Sequence, residues 1–252
     1  MSDFSNYYSD LFSKEWIMKI KKKTTKQKLL WLRDLSRDSW PMLIFMLMYI
    51  LVFTLLEKAT RLHYTVIHSP LDDRIPFIEY FVIPYFMWFG YIAFNMISLY
   101  LKDRRTYLSI SVFLMIGMTV MLVVSFVFPN IQYLRPQVMP RNNLFTRMVA
   151  HLYRTDTPTN ICPSIHVYNT VAVMLGLWRT DSSMHRKAFR IPMNIIGVLI
   201  ILSTMFIKQH SVLDVAAAFA LSYASYLAVF RYHAGSILLR GNAGKQEPLQ
   251  GE

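Results

Sequence analysis

Charge is absent from six long stretches of this chain, and their length constrains the fold more than any other feature. Residues 39–56, 80–101 and 106–134 contain no Asp, Glu, Lys or Arg, and neither do 157–178, 191–207 and 215–230. A helix needs ~20 mainly apolar residues to cross a bilayer, within a range of ~17–25. Four of the blocks meet that directly, and the last two do so once their flanks are included. Pro129 and Asn130 mark where the helix within the third block should stop. Six buried helices of a soluble bundle are the alternative, but such helices normally keep a polar stripe. The expectation is therefore an all-α polytopic membrane protein with six transmembrane helices in one bundle. In hydrocarbon each backbone group must find its partner within its own segment or a closed barrel.

Composition matters for what it excludes. An aromatic fraction of 15% argues against disorder, and the single Cys162 against a disulfide scaffold. The formal net charge of +12 leaves a nucleic-acid binder open until the positions of the charges are considered. If the helices alternate across the bilayer, nineteen of the 27 Lys and Arg fall on one side. They lie before residue 38, around Lys102 to Arg105, between Arg179 and Arg190, and in the tail after Phe230. Positive charge marks the cytoplasmic face, so both termini are expected there, in a multi-pass protein of the cell membrane. Topology accounts for most of the charge, and no nucleic-acid partner is expected.

Three segments follow from this. Residues 1–38 form a cytoplasmic basic segment, 39–231 the six-helix membrane domain and 232–252 a polar tail expected to be disordered. No secretory signal is read before Ser39. Residues 14–35 interleave lysines with Trp16, Ile17, Ile20, Leu29, Leu30 and Trp31. That pattern suits an interfacial helix on anionic headgroups, or an ordinary topogenic flank.

Two connections on the outer side carry chemistry. Residues 129–162 include Arg135, Arg141, Arg147, His151, Arg154, Asp156 and Asn160, and run into Cys162-Pro163-Ser164-Ile165-His166. With Pro163 at the first helical position, the N–H groups of Ser164 and Ile165 would be free, and a helix start of this kind favours phosphate. His166 then lies one turn into a membrane helix, where a histidine needs a cavity or a partner. It is a functional candidate, or else it hydrogen-bonds to a neighbouring helix. The second connection is Lys208-Gln209-His210-Ser211-Val212-Leu213-Asp214. Residues four apart share a helix face, so Asp214 can hold one ring nitrogen of His210 and leave the other as a nucleophile. A structural pair capping the sixth helix is the alternative. Two histidines, one carboxylate, a helix start and the cations Arg135 and Lys208 together suit phosphoryl transfer at headgroup depth.

These residues resemble the type 2 phosphatidic acid phosphatase superfamily of integral membrane enzymes. Its pattern is K-x6-R-P, then P-S-G-H, then S-R-x5-H-x3-D, on a six-helix core. Arg135-Pro136 matches the end of the first motif, Pro163-Ser164-Ile165-His166 the second, and Ser203, His210 and Asp214 the third, within residues 106–230. The resemblance implies His210 as nucleophile, Asp214 as its partner and His166 as general acid. Arg135 and Ser164 would bind phosphate, and neither a metal nor another cofactor is required. Phe128, Ile165 and Thr204 stand where the pattern has Lys, Gly and Arg. Lys208 is the candidate to replace one missing cation, and Arg141, Arg147 or Arg154 another. Branches resembling sphingolipid headgroup synthases keep the histidines and the Asp while varying the cations.

The expected function is a lipid phosphatase acting through phosphohistidine on a lipid phosphate. A phosphotransferase passing the group to an alcohol or lipid, and a non-catalytic binder of anionic lipid, are the alternatives. The expected rate is bell-shaped around neutral pH and insensitive to chelators. Cys162 has only His166 as a base nearby in sequence and reads as a packing residue. The Asp156-Thr157-Pro158-Thr159-Asn160 run is too distinctive for a generic loop, with a capping role as its one visible purpose.

Overall fold

The uncharged blocks fold as helices. In the computed structural model, which describes residues 25–59, 63–180 and 187–231, the protein is mostly helical. The helices are α1 (Thr25–Lys58), α2 (Pro70–Arg74), α3 (Val82–Lys102), α4 (Arg104–Val127), α5 (Leu144–Thr155), α6 (Ile165–Arg179), α7 (Lys187–Phe206) and α8 (Val212–Tyr226). A 3-10 turn, Glu79–Phe81, leads into α3, and a π-helical turn, Leu227–Arg231, follows α8. Five segments are long and apolar enough to cross a membrane: Ser39–Lys58, Glu79–Lys102, Arg104–Val127, Lys187–Phe206 and Val212–Arg231.

The fourth uncharged block departs from expectation. Its helix, α6, has 15 residues, about 22 Å at 1.5 Å per residue, short of the ~30 Å hydrocarbon layer. Residues 157–164 are loop instead, because Pro158 and Pro163 interrupt helical hydrogen bonding and Asn160 adopts a positive φ of 53°. Pro163 also lies outside the helix: Ser164 is the N-cap and Ile165 the first helical residue. α6 is nevertheless central, packed against α3, α4, α7 and α8. Its Tyr168 is almost fully buried and donates to Phe113 O, with Ser225 Oγ also at 2.8 Å, which ties α4, α6 and α8 together. The ring occupies the space that any side chain at Gly117 would need.

The main core combines Leu99, Ile110, Phe113, Tyr168, Val173, Leu177 and Ile200. α1 packs on α4 and leaves Leu43, Leu47, Met48, Leu51 and Leu55 exposed, as a lipid-facing helix would. Residues 14–24 and 232–252, with the roles expected of them, lie outside the described residues; from Thr25 the helix continues unbroken into the first span.

The connections after α1, α4 and α7 meet at one end. Thr65–Val66 (β1) and Asn130–Ile131 (β2) pair in parallel, Thr65 with Asn130 and Val66 with Ile131, and Ile131 bridges to Thr159. Among the described residues these two-residue strands form the one sheet. At the other end Thr180 Oγ1 donates to Asp103, the N-cap of α4, at 2.7 Å. α5 is not among the candidate spans. It buries Thr146, Val149 and Leu152, turns Arg147, His151 and Arg154 outward, and roofs Val82, Tyr85 and Ile207.

Candidate functional site

Asp214 is the third residue of α8 and closes a capping box, its Oδ2 accepting the Ser211 N–H at 2.8 Å. That cap fixes the carboxylate beside the residue four positions earlier. His210 Nδ1 lies 3.4 Å from the same oxygen, an ion-pair contact longer than the ~2.7–3.2 Å of a formed hydrogen bond. Both side chains are buried. The backbone of His210 is held from the other side, its N–H and that of Gln209 both donating to Thr204 O.

His166 comes from the first turn of α6. Its ring centroid is 5.7 Å from that of His210, so the packing of α6 on α8 brings the two histidines together at the start of both helices, their rings tilted by 58°. Tyr85 and Trp88 of α3 wall His166 at 4.7 and 4.3 Å between ring centroids. Trp88 Nε1 and Thr170 Oγ1 both donate to its carbonyl. Its Nδ1 is buried without a hydrogen bond among the described residues.

Arg135 follows β2 and reaches the same region. Nη1 donates to Tyr153 O at 3.2 Å and Asp156 O at 2.8 Å, Nη2 donates to Gln209 Oε1, and the guanidinium stacks on the Tyr153 ring at 4.6 Å. Burial lowers its pKa against the pull of Asp156, but a guanidinium keeps its charge at any physiological pH.

The other expected phosphate ligands are engaged elsewhere. Ser164 is fully buried, with its hydroxyl capping α6 and its N–H donating to Asp214 O at 3.2 Å. Lys208 has a positive φ of 55°, and its ammonium donates to Asp72 O and Ile75 O at 2.7 and 2.5 Å, away from the histidines. Arg141 pairs with the buried Glu79 at 2.6 Å, and Arg147 and Arg154 are exposed on α5. Of these cations Arg135 alone is hydrogen-bonded to the immediate neighbour of His210. At the departures from the motif pattern, Phe128 is the C-cap of α4 and Thr204 is buried, its hydroxyl donating to Ile201 O. Burial and the Asp214 carboxylate push the Cys162 thiol up to about 12, which keeps it protonated and unsuited to attack.

Several partners went unread in the sequence. Asp72 accepts from Ser69 N, Ser211 Oγ and Val212 N, so a carboxylate 140 residues away caps the helix that carries Asp214. Ser69-Pro70-Leu71-Asp72 has the spacing of a capping box, a signal for α2 but not for what it touches. The 156–160 run also gains a purpose: Thr157, Thr159 and Asn160 all bond to Glu57 at the end of α1. Among the described residues no group of three or more His, Cys, Asp and Glu is arranged to hold a metal ion. No family profile matches the chain, and no curated protein or solved structure matches it.

Proposed function

We propose that the protein is a membrane-embedded lipid phosphatase that works through a phosphohistidine, in the manner of the type 2 phosphatidic acid phosphatases. One observation carries the reading: two histidines with ring centroids 5.7 Å apart, His166 half-buried and His210 buried with a carboxylate at 3.4 Å. A purely structural role for His166 and Arg135 is disfavoured because Nδ1 of His166 and Nε of Arg135 are buried without hydrogen-bond partners among the described residues, which is costly unless a ligand uses them.

In the proposed reaction the Nδ1 face of His210 is turned to Asp214, so Nε2 carries the attacking lone pair. Nε2 bonds to phosphorus as the ester P–O bond breaks, and His166 gives its proton to the leaving lipid oxygen. Water then attacks phosphorus, His166 takes a proton back, and the P–N bond breaks to release inorganic phosphate. Arg135 is the fixed positive charge beside the equatorial oxygens. The substrate is a lipid phosphate, whose phosphate lies at the depth of this site.

The matching topology has six crossings, the five long spans and α6, in one bundle. Both termini are cytoplasmic, and the end carrying α5 and the histidines is the outer face. The gathering of the connections after α1, α4 and α7 at one end supports this alternation. A second reading, transfer to an alcohol or lipid acceptor, is favoured by the aromatic walls of Tyr85 and Trp88, which limit the approach of water to His166. The test is a panel of lipid phosphates in detergent, with and without alcohol acceptors. Phosphate release absent in His210→Ala supports the phosphatase, a product formed only with acceptor supports transfer, and saturable binding without turnover supports a lipid binder.

A further inference from the structure

The reaction above does not use the half-buried carboxylate beside Arg135. Asp156, the C-cap of α5, accepts two hydrogen bonds on a single oxygen: from the Tyr85 hydroxyl at 3.2 Å and from Gln209 Nε2 at 3.0 Å. The other end of the Gln209 amide accepts from Arg135 Nη2, and Arg135 Nη1 returns to the Asp156 carbonyl at 2.8 Å. Asp156, Gln209 and Arg135 close a ring, with Tyr85 attached to it through Asp156. An ionised carboxylate only accepts and a guanidinium only donates, so the amide between them has one permitted orientation. The relay also holds Arg135 without placing the carboxylate directly against its guanidinium, which leaves its charge available to an incoming phosphate. On the other side, the Tyr85 ring that Asp156 anchors is the one stacked on His166 at 4.7 Å.

We propose that Asp156 is a positioning residue with two arms, Gln209 setting the phosphate-binding Arg135 and Tyr85 setting the ring of His166. This rests on the lipid phosphatase reading and adds to it a residue outside the motifs that suggested that reading. The arms make separable predictions, because a phosphate ligand acts on binding and a proton donor on the chemical step. The assay is phosphate release from short-chain phosphatidic acid in detergent micelles, with His210→Ala as background. Tyr85→Phe lowers kcat about tenfold with KM unchanged, and Gln209→Leu raises KM about tenfold with kcat held within threefold, the size one hydrogen bond supports. Asp156→Ala shows both effects. Asp156→Asn, whose amide oxygen can accept both bonds, recovers to within about threefold of wild type.

Equal losses in Asp156→Ala and Asp156→Asn overturn the proposal, since they make the charge or a proton the important property. Wild-type kinetics in Asp156→Ala also overturn it while leaving the phosphatase reading intact. No release by wild type above the His210→Ala background overturns that reading itself. If Asp156→Ala does not fold, Tyr85→Phe and Gln209→Leu carry the test, and a change of the same kinetic parameter in both overturns the two-arm assignment.

Discussion

Lys208 donates from its ammonium to the backbone oxygen of Asp72 at 2.7 Å, which ties the connection carrying His210 to the short helix α2. The lysine two residues before His210, the proposed nucleophile, thus supports the loop. Its second bond, to Ile75 O, satisfies another carbonyl at the end of α2. Lys208→Met leaves both acceptors unpaired at a cost of about 1–3 kcal/mol. The expected outcome is a lower Tm in detergent with a smaller rise in KM than Arg135→Gln gives. A KM effect as large as that of Arg135→Gln would instead put the ammonium on the phosphate.

Asp72 performs the complementary task on α8, accepting the Val212 N–H at 2.8 Å and the Ser211 hydroxyl at 2.6 Å. Removing a helix-capping carboxylate costs about 0.5–2 kcal/mol. Asp72→Ala is expected to lower Tm by a corresponding amount and to reduce kcat, because the same helix start holds Asp214. Normal kcat at reduced Tm would separate the cap from the site.

Gly117 is expected to tolerate no side chain. A Cβ there would lie 1.9–2.5 Å from three atoms of the Tyr168 ring, whereas one at Gly90 meets nothing within 4 Å. Overpacking of this kind costs about 1–3 kcal/mol. Gly117→Ala should therefore unfold at lower temperature than wild type, and Gly90→Ala should not. Indistinguishable melting of the two variants would show that the Tyr168 ring moves aside at little cost.

At the proposed centre, His210→Ala is expected to abolish turnover with its Tm preserved. His166→Asn is expected to lose about 10²–10⁴-fold in kcat, the usual contribution of a general acid. Supplying a substrate whose leaving group needs no proton should restore much of the His166→Asn rate and none of the His210→Ala rate. Equal restoration in both would reverse or remove the assigned roles.

Asp156 gives a pH-dependent test. Burial pushes its carboxyl above the ordinary carboxylate value, against the pull of His210 and Arg135. A carboxyl raised on folding contributes stability that is full below its unfolded value, ~3.9, and is lost as pH rises through the folded value. Asp156→Asn escapes that loss, so its Tm relative to wild type should rise as the pH increases above about 4. A difference that stays flat or falls would place the ionised carboxylate in a stabilising environment.

The helices were legible because the ability to lie in hydrocarbon is a property of a local stretch of sequence. The approach of His210 to Asp214 was legible as a short separation in sequence, although His210 lies ahead of α8 and the Ser211 capping box, not a helical turn, sets the carboxylate beside it. The 157–178 block forms a shorter helix than its hydropathy alone suggests, because hydropathy carries no information about backbone hydrogen bonding, and Pro158, Asn160 and Pro163 hold its first eight residues out of the helix. Other contacts had no local signal. Glu57 meets Thr157, Thr159 and Asn160, and Tyr85 meets Asp156 and His166, across separations that only chain packing closes.

By itself the sequence determined that long apolar helices dominate this chain and that two histidines and an Asp sit at helix starts. Tertiary structure decided which of the candidate cations lies beside the loop that carries His210. A lysine or arginine has a long side chain that can point several ways, and its direction depends on which acceptors the fold sets nearby. For Lys208 these are the carbonyls at the end of α2, and for Arg141 the carboxylate of Glu79. For Arg135 they are the oxygens of Tyr153, Asp156 and Gln209, which hold it next to the histidine-bearing loop.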